Sequence, residues 1–197
     1  EGRARDRRGL HRFLLAQRAL RSVSHPAVQR IVAAGLLADG RPYVAAEHID
    51  GQLLSARIGR AGAMHINEFR PVLQALTEGL DKVHAAGLAR SDRPTDHVVR
   101  GGVRGLWGLA RPAGPRPGAA DAASFLVLLG SARALARERA RLGTPADAHS
   151  DVYGLGVLTW EVLTGKGLFA TNSLADQVVA HLTQEPEAPS KIAPRGW

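Results

Sequence analysis

Cysteine is absent from the 197 residues, aromatics make up 5%, and lysine occurs only at Lys82, Lys166 and Lys191. Without a thiol there is no disulfide framework and no thiolate metal site; a reducing cytoplasm is the expected location. No apolar run approaches the ~18 residues that span a bilayer, and no secretory leader opens the sequence, so no membrane segment is expected within it. The scarcity of rings also bears on the net charge of +8. That charge alone admits nucleic acid or an anionic membrane as partner. The Arg3, Arg5, Arg7 and Arg8 run, however, is not interleaved with aromatics on which bases would stack, so nucleic acid is not the expected partner. Arginine in place of lysine, with heavy use of Ala and Gly, is what a GC-rich genome produces, and a solvated basic surface is the expected reading. The chain opens on Glu1 and closes on Trp197 soon after a helical pattern; it is expected to be part of a longer one.

What is present is enough for one core, which at this length buries about 70% of the unfolded surface. Its centre is predicted at residues 150–165, a helix with Ser150 as N-cap, Asp151 at the positive end of the dipole and Gly165 as the stop. Val152, Leu155, Val157, Leu158, Trp160, Val162 and Leu163 are not confined to one face. Such a helix should be buried nearly all round.

Around it, residues 7–23 read as an amphipathic helix ended by His25-Pro26. Strands are expected at 28–34 and 42–46, joined by a turn at Ala38-Asp39-Gly40. A second amphipathic helix should be capped by Asn67, carry Phe69, Val72, Leu73, Leu76, Leu80 and Val83 as one stripe, and stop at Gly87. Asn172-Ser173-Leu174-Ala175-Asp176 has the form of a capping box opening a helix to about Thr183. Pro186, Pro189 and Pro194 then mark a loop.

The motifs resemble a bacterial Ser/Thr protein kinase of the eukaryotic-like kind. Ser150-Asp151-Val152-Tyr153 with Leu163-Thr164-Gly165 matches that family's central large-lobe helix. The nine residues ending at Glu138, which open on Gly130-Ser131, fall without a gap on its Gly-Thr-Pro-x-Tyr-Met-Ala-Pro-Glu, and His84-Ala85-Ala86-Gly87-Leu88 on the approach to its catalytic loop. The resemblance implies an α+β, protein-kinase-like fold, with a mostly helical large lobe over 50–197, incomplete at its C-terminus, and a partial small lobe over 1–49 whose N-terminal strands are missing. It further implies a hinge at Ala46, Glu47 and His48, where backbone at Glu47 and His48 would face an adenine and Ala46 would be a small gatekeeper.

Phosphoryl transfer rests on positioning and charge: a cation on the phosphates, oxygen ligands for Mg²⁺ and a carboxylate near the acceptor hydroxyl. In Arg90-Ser91-Asp92-Arg93-Pro94-Thr95-Asp96-His97 the family's catalytic loop keeps that carboxylate, Asp92. Pro94 replaces the phosphate-facing lysine, with Arg93 one residue away, and Ser91 removes the arginine that would read a phosphorylated activation loop. Metal ligands are expected to be lost. His97 stands for an asparagine, and imidazole suits Mg²⁺ poorly; Leu106 stands for the acid of Asp-Phe-Gly and has no lone pair. Ala16 occupies the place of the small-lobe glutamate that pairs with the nucleotide lysine, and a neutral Gln17 beside it cannot supply that charge. Ser131, in the place of the family's threonine, could hydrogen-bond Asp92.

The leading expectation is a catalytically impaired pseudokinase with a regulatory or scaffolding role, taking no cofactor and docking a protein partner or cognate kinase. An active Ser/Thr kinase using ATP and Mg²⁺ through Asp92 and Ser131 is the alternative, and a basic nucleic-acid or membrane-surface module a further one. Family members often carry a membrane helix after the kinase domain, so the chain is also read as the cytosolic part of a longer anchored protein.

Overall fold

The computed structural model describes residues 7–89, 98–100, 104–105, 111–112, 136–140 and 147–193. The first element is α1, Arg7–Arg21, which buries Ala16, Gln17 and Leu20. His25-Pro26 then turns the chain, with the His25 ring nitrogen accepting the Ala27 N–H at 3.1 Å. The strand expected at 28–34 begins three residues later as β1, Ile31–Leu36, because residues 26–28 are taken up by that turn. It pairs antiparallel with β2, Pro42–Ala46, through the expected turn, where Asp39 accepts from the Arg41 N–H at 3.0 Å. These two strands form a sheet by themselves, and Val32, Leu36, Leu37 and Tyr43 stay exposed on it.

Short ladders follow. β3 (Gln52–Leu53) pairs with β5 (Val98–Arg100), which pairs with β6 (Arg104–Gly105). β4 (Leu88–Ala89) pairs with β7 (Arg111–Pro112). Between β3 and the long helix lies α2, Leu54–Ala61, which the sequence pattern does not announce.

The long helix α3 runs Ile66–Ala85, burying Phe69, Leu76, Leu80 and Val83 of the expected stripe, with Gly87 past its end at φ 71°. Its cap is His65, not Asn67: the His65 ring accepts the Asn67 N–H at 3.1 Å, and Asn67 is already inside the helix. A single turn, α4 (Arg137–Ala140), precedes the central helix α5, Ala148–Thr164. That helix starts before Ser150, because Asp147 holds the extended cap conformation and accepts the Ser150 N–H at 2.9 Å. Gly165 closes it at φ 71° as expected. Contrary to expectation Val152 is 61% exposed. It lies about 200° around the helix from the buried Ser150, and so on the solvent side of the first turn. α6 (Leu174–Thr183) is capped by Ser173, and the proline-rich stretch after it includes one further helical turn, α7 (Pro189–Ile192).

Ala16, Leu20, Val28, Ile31, Leu54, Met64, Phe69, Leu76, Leu80, Val83, Leu88, Leu158, Val162 and Leu163 form one cluster. It joins α1 and β1 to α3 and α5 across the boundary expected near residue 50. Val157, Trp160, Leu168, Phe169 and Ala180 form a second cluster under α6. Among the described residues no helix is long and apolar enough to cross a membrane.

Candidate functional site

At the end of β2 the chain leaves the sheet through Ala46, Glu47 and His48, the expected hinge. Glu47 is fastened to the residues before β1. Its N–H donates to the Arg30 carbonyl at 3.0 Å, its carbonyl accepts the Gln29 side-chain amide at 2.9 Å, and its carboxylate accepts the Arg30 N–H at 3.2 Å. Both main-chain groups of Glu47 thus face Gln29 and Arg30. Ala46 and His48 are exposed, and the His48 ring lies 3.1 Å from Asp50. Nothing local in the sequence points to Gln29 and Arg30; their contribution is a register effect of β1 against β2, which periodicity does not encode.

On α1, Ala16 is 1% exposed and packs in the main core. Its neighbour Gln17 is also fully buried. The position at which the resemblance puts an acid therefore faces inward, and it carries a methyl group.

The approach to the catalytic loop is held from below. His84, near the end of α3, meets Asp151 in the first turn of α5 at 2.9 Å, with the Asp151 side chain only 6% exposed. Such a pair ties α3 to α5 at the point where β4 begins. Asp92, with Ser131, His97 and Leu106, falls outside the described residues.

A second polar cluster lies where α4, α5 and α6 meet. Arg137 donates from Nε to the His181 carbonyl at 3.0 Å and from Nη2 to the Gln184 carbonyl at 3.1 Å, so its guanidinium caps the C-terminal end of α6. Glu138 accepts from the Ser150 hydroxyl at 2.9 Å, and the Ser150 N–H donates to Asp147 at 2.9 Å. The Ser150 N–H holds the Asp147 carboxyl below its ordinary range. Tyr153 meets the fully buried His181 ring at 2.6 Å, and Phe169 packs edge-on to the same ring. Burial pushes the Tyr153 phenol up from its ordinary value.

Similarity to known proteins agrees with this architecture. The crystal structure of the Mycobacterium tuberculosis PknI kinase domain, solved as a point mutant, superposes with a TM-score of 0.67 at 18% identity, over 96% of this chain and 66% of that one. In sequence, the Ser/Thr kinase pkn2 of Myxococcus xanthus is 36% identical over 163 residues, covering 79% of this chain and 19% of its own length. PknL of M. tuberculosis is 34% identical over 175 residues, covering 86% and 42%. The chain belongs to the bacterial eukaryotic-like Ser/Thr protein kinase family. No family profile matches it, and it spans about a fifth to two fifths of the length of these kinases. The fold is that of a protein kinase domain, and the sequence motifs at 150–165 and 84–88 sit in it on α5 and on the α3–β4 corner.

Proposed function

We propose that this kinase-like domain does not transfer phosphate and acts by shape, docking a protein partner or a cognate kinase. The observation that supports this best is Ala16. In a working kinase an acid at that place pairs with the nucleotide lysine; here the position is buried and apolar, so a lysine brought there would meet no charge, and a buried unpaired ammonium costs several kcal/mol. The sequence adds Leu106 and His97 at the metal positions and Pro94 at the phosphate position. The hinge is consistent with the same reading, because both main-chain groups of Glu47 are already hydrogen-bonded to the residues before β1. Together these groups make a donor set that does not fit ATP with Mg²⁺.

A second reading has specific support: Asp92 keeps the acceptor carboxylate, and the relatives are named Ser/Thr kinases. Radiolabelled ATP separates the two. The purified protein, extended to whatever natural chain surrounds it, should label neither itself nor a generic basic substrate in the presence of Mg²⁺. Labelling that Asp92→Asn abolishes would establish the second reading.

A further inference from the structure

Helix α6 has two apolar sides, and the fold uses one of them. At about 100° per residue, Leu174, Val178, Leu182, Ala175 and Val179 follow one another round the helix over an arc of about 140°. The buried Gln177, Ala180 and His181 lie on the other side, where His181 meets Tyr153 and Ala180 joins the second cluster. On the outward side Leu174 is 44%, Val179 54% and Leu182 39% exposed; Ala175 is exposed as well and Val178 half-buried. A helix that is apolar all round is normally buried all round, and a contiguous exposed apolar stripe marks an interaction site.

Charge narrows the occupant. The chain carries a net +8, yet no lysine or arginine occurs between Lys166 and Lys191, where three carboxylates do. The exposed Asp176 borders the stripe beyond Val179, its carboxylate accepting the Ser173 hydroxyl at 2.7 Å. Glu185 and Glu187 follow Leu182 in the next loop, exposed and in no ion pair among the described residues. That loop is anchored, because Trp160 donates its indole N–H to the Glu187 carbonyl at 2.8 Å. Arg137 is at the same end of α6 but on its buried side, at the His181 and Gln184 carbonyls.

We propose that the outward stripe of α6 docks a basic amphipathic helix of a partner protein. Its apolar side chains lie along Leu174, Val179 and Leu182, and its lysines or arginines reach Asp176, Glu185 and Glu187. From Leu174 to Leu182 the stripe is about 12 Å long, or about two turns of such a helix. Nucleic acid or an anionic membrane would meet carboxylates where it needs cations. A second copy related by a two-fold axis through α6 would set the same acids against each other. This assignment rests on the docking part of the proposed function, for which it supplies the site, and not on the loss of phosphate transfer.

The test uses the chain within its natural surroundings and a fluorescein-labelled helical peptide with leucines at i, i+3, i+4 and i+7 and lysines on its other face, read by anisotropy without nucleotide. It should bind at least tenfold tighter than a scrambled peptide of the same composition, and than one with glutamates for the lysines. Val179→Gln with Leu182→Gln should weaken it at least tenfold, and Glu185→Lys with Glu187→Lys at least fivefold. The control Val152→Gln, at an exposed valine on α5, should change it less than twofold. Circular dichroism confirms that each variant is folded, and amide chemical shifts that move on binding should map to residues 174–187. Absence of binding, equal binding of the scrambled peptide, preference for the glutamate peptide, or indifference to the Val179 and Leu182 pair would overturn the proposal. So would self-association of the chain that this pair abolishes, which puts a second copy on the stripe. With no nucleotide present, such a failure leaves the proposed loss of phosphate transfer standing.

Discussion

Gly165 ends α5 at φ 71°, and a Cβ there would lie 2.6 Å from the Ala63 backbone nitrogen, because the loop before α3 crosses the helix end and Met64 N–H donates to the Val162 carbonyl at 2.8 Å. Gly165→Ala therefore meets both a left-handed backbone, costing about 1–3 kcal/mol, and a clash. Gly40, with φ 81° and nothing within 4 Å of its Cβ position, isolates the first effect. Urea unfolding should show Gly165→Ala losing clearly more stability than Gly40→Ala. Tyr153 gives a pH prediction. Its folded pKa is raised by burial, so its contribution is fully present below the ordinary tyrosine value near 10 and is lost as pH rises through the folded one. Tyr153→Phe should cost about 0.5–1.5 kcal/mol at pH 8 through the lost bond to His181, and the gap to the wild type should narrow above pH 10.

At the scale of elements, Arg137 has the clearest role. It stands where the family has proline, and its guanidinium satisfies the last carbonyls of α6, 44 and 47 residues away in sequence. Arg137→Ala should fray α6, with faster amide exchange in residues 180–184 and little change in α3; Arg137→Lys, with one ammonium for two carbonyls, should fall between. The sequence announces α1, α3, α5 and α6 because each has a long apolar pattern and strong end signals. It does not announce α2, whose eight residues include Gly59 and which starts with no capping side chain. The start of α5 is displaced from the expected one for a local reason: Asp147 and Ser150 are both good caps three residues apart, and only backbone conformation shows that Asp147 is the one used. Arg137, Gln29 and Arg30 are invisible as partners because their contacts join distant segments, which no local pattern records.

For the whole molecule, the one continuous cluster from α1 to α5 explains how a recognisable kinase scaffold persists while charged positions change. Apolar packing, to which Ala16 itself belongs, fixes the positions of the helices; under the proposed reading Leu106 and His97 change charge and ligation and leave that packing pattern readable in the sequence. The family is legible for the same reason, from residues 150–165 and 84–88, which are buried or cap-forming stretches. The proposed loss of phosphate transfer is a separate matter, argued from a few exchanged side chains. Nucleotide binding tests it most directly, since a ligand bound only by the folded state must raise its melting temperature. Isothermal titration and thermal melting of the chain within its natural surroundings, with ATP and Mg²⁺ at millimolar concentration, should show no binding heat and no upward shift. A saturable, magnesium-dependent heat with a matching rise in melting temperature would contradict the account.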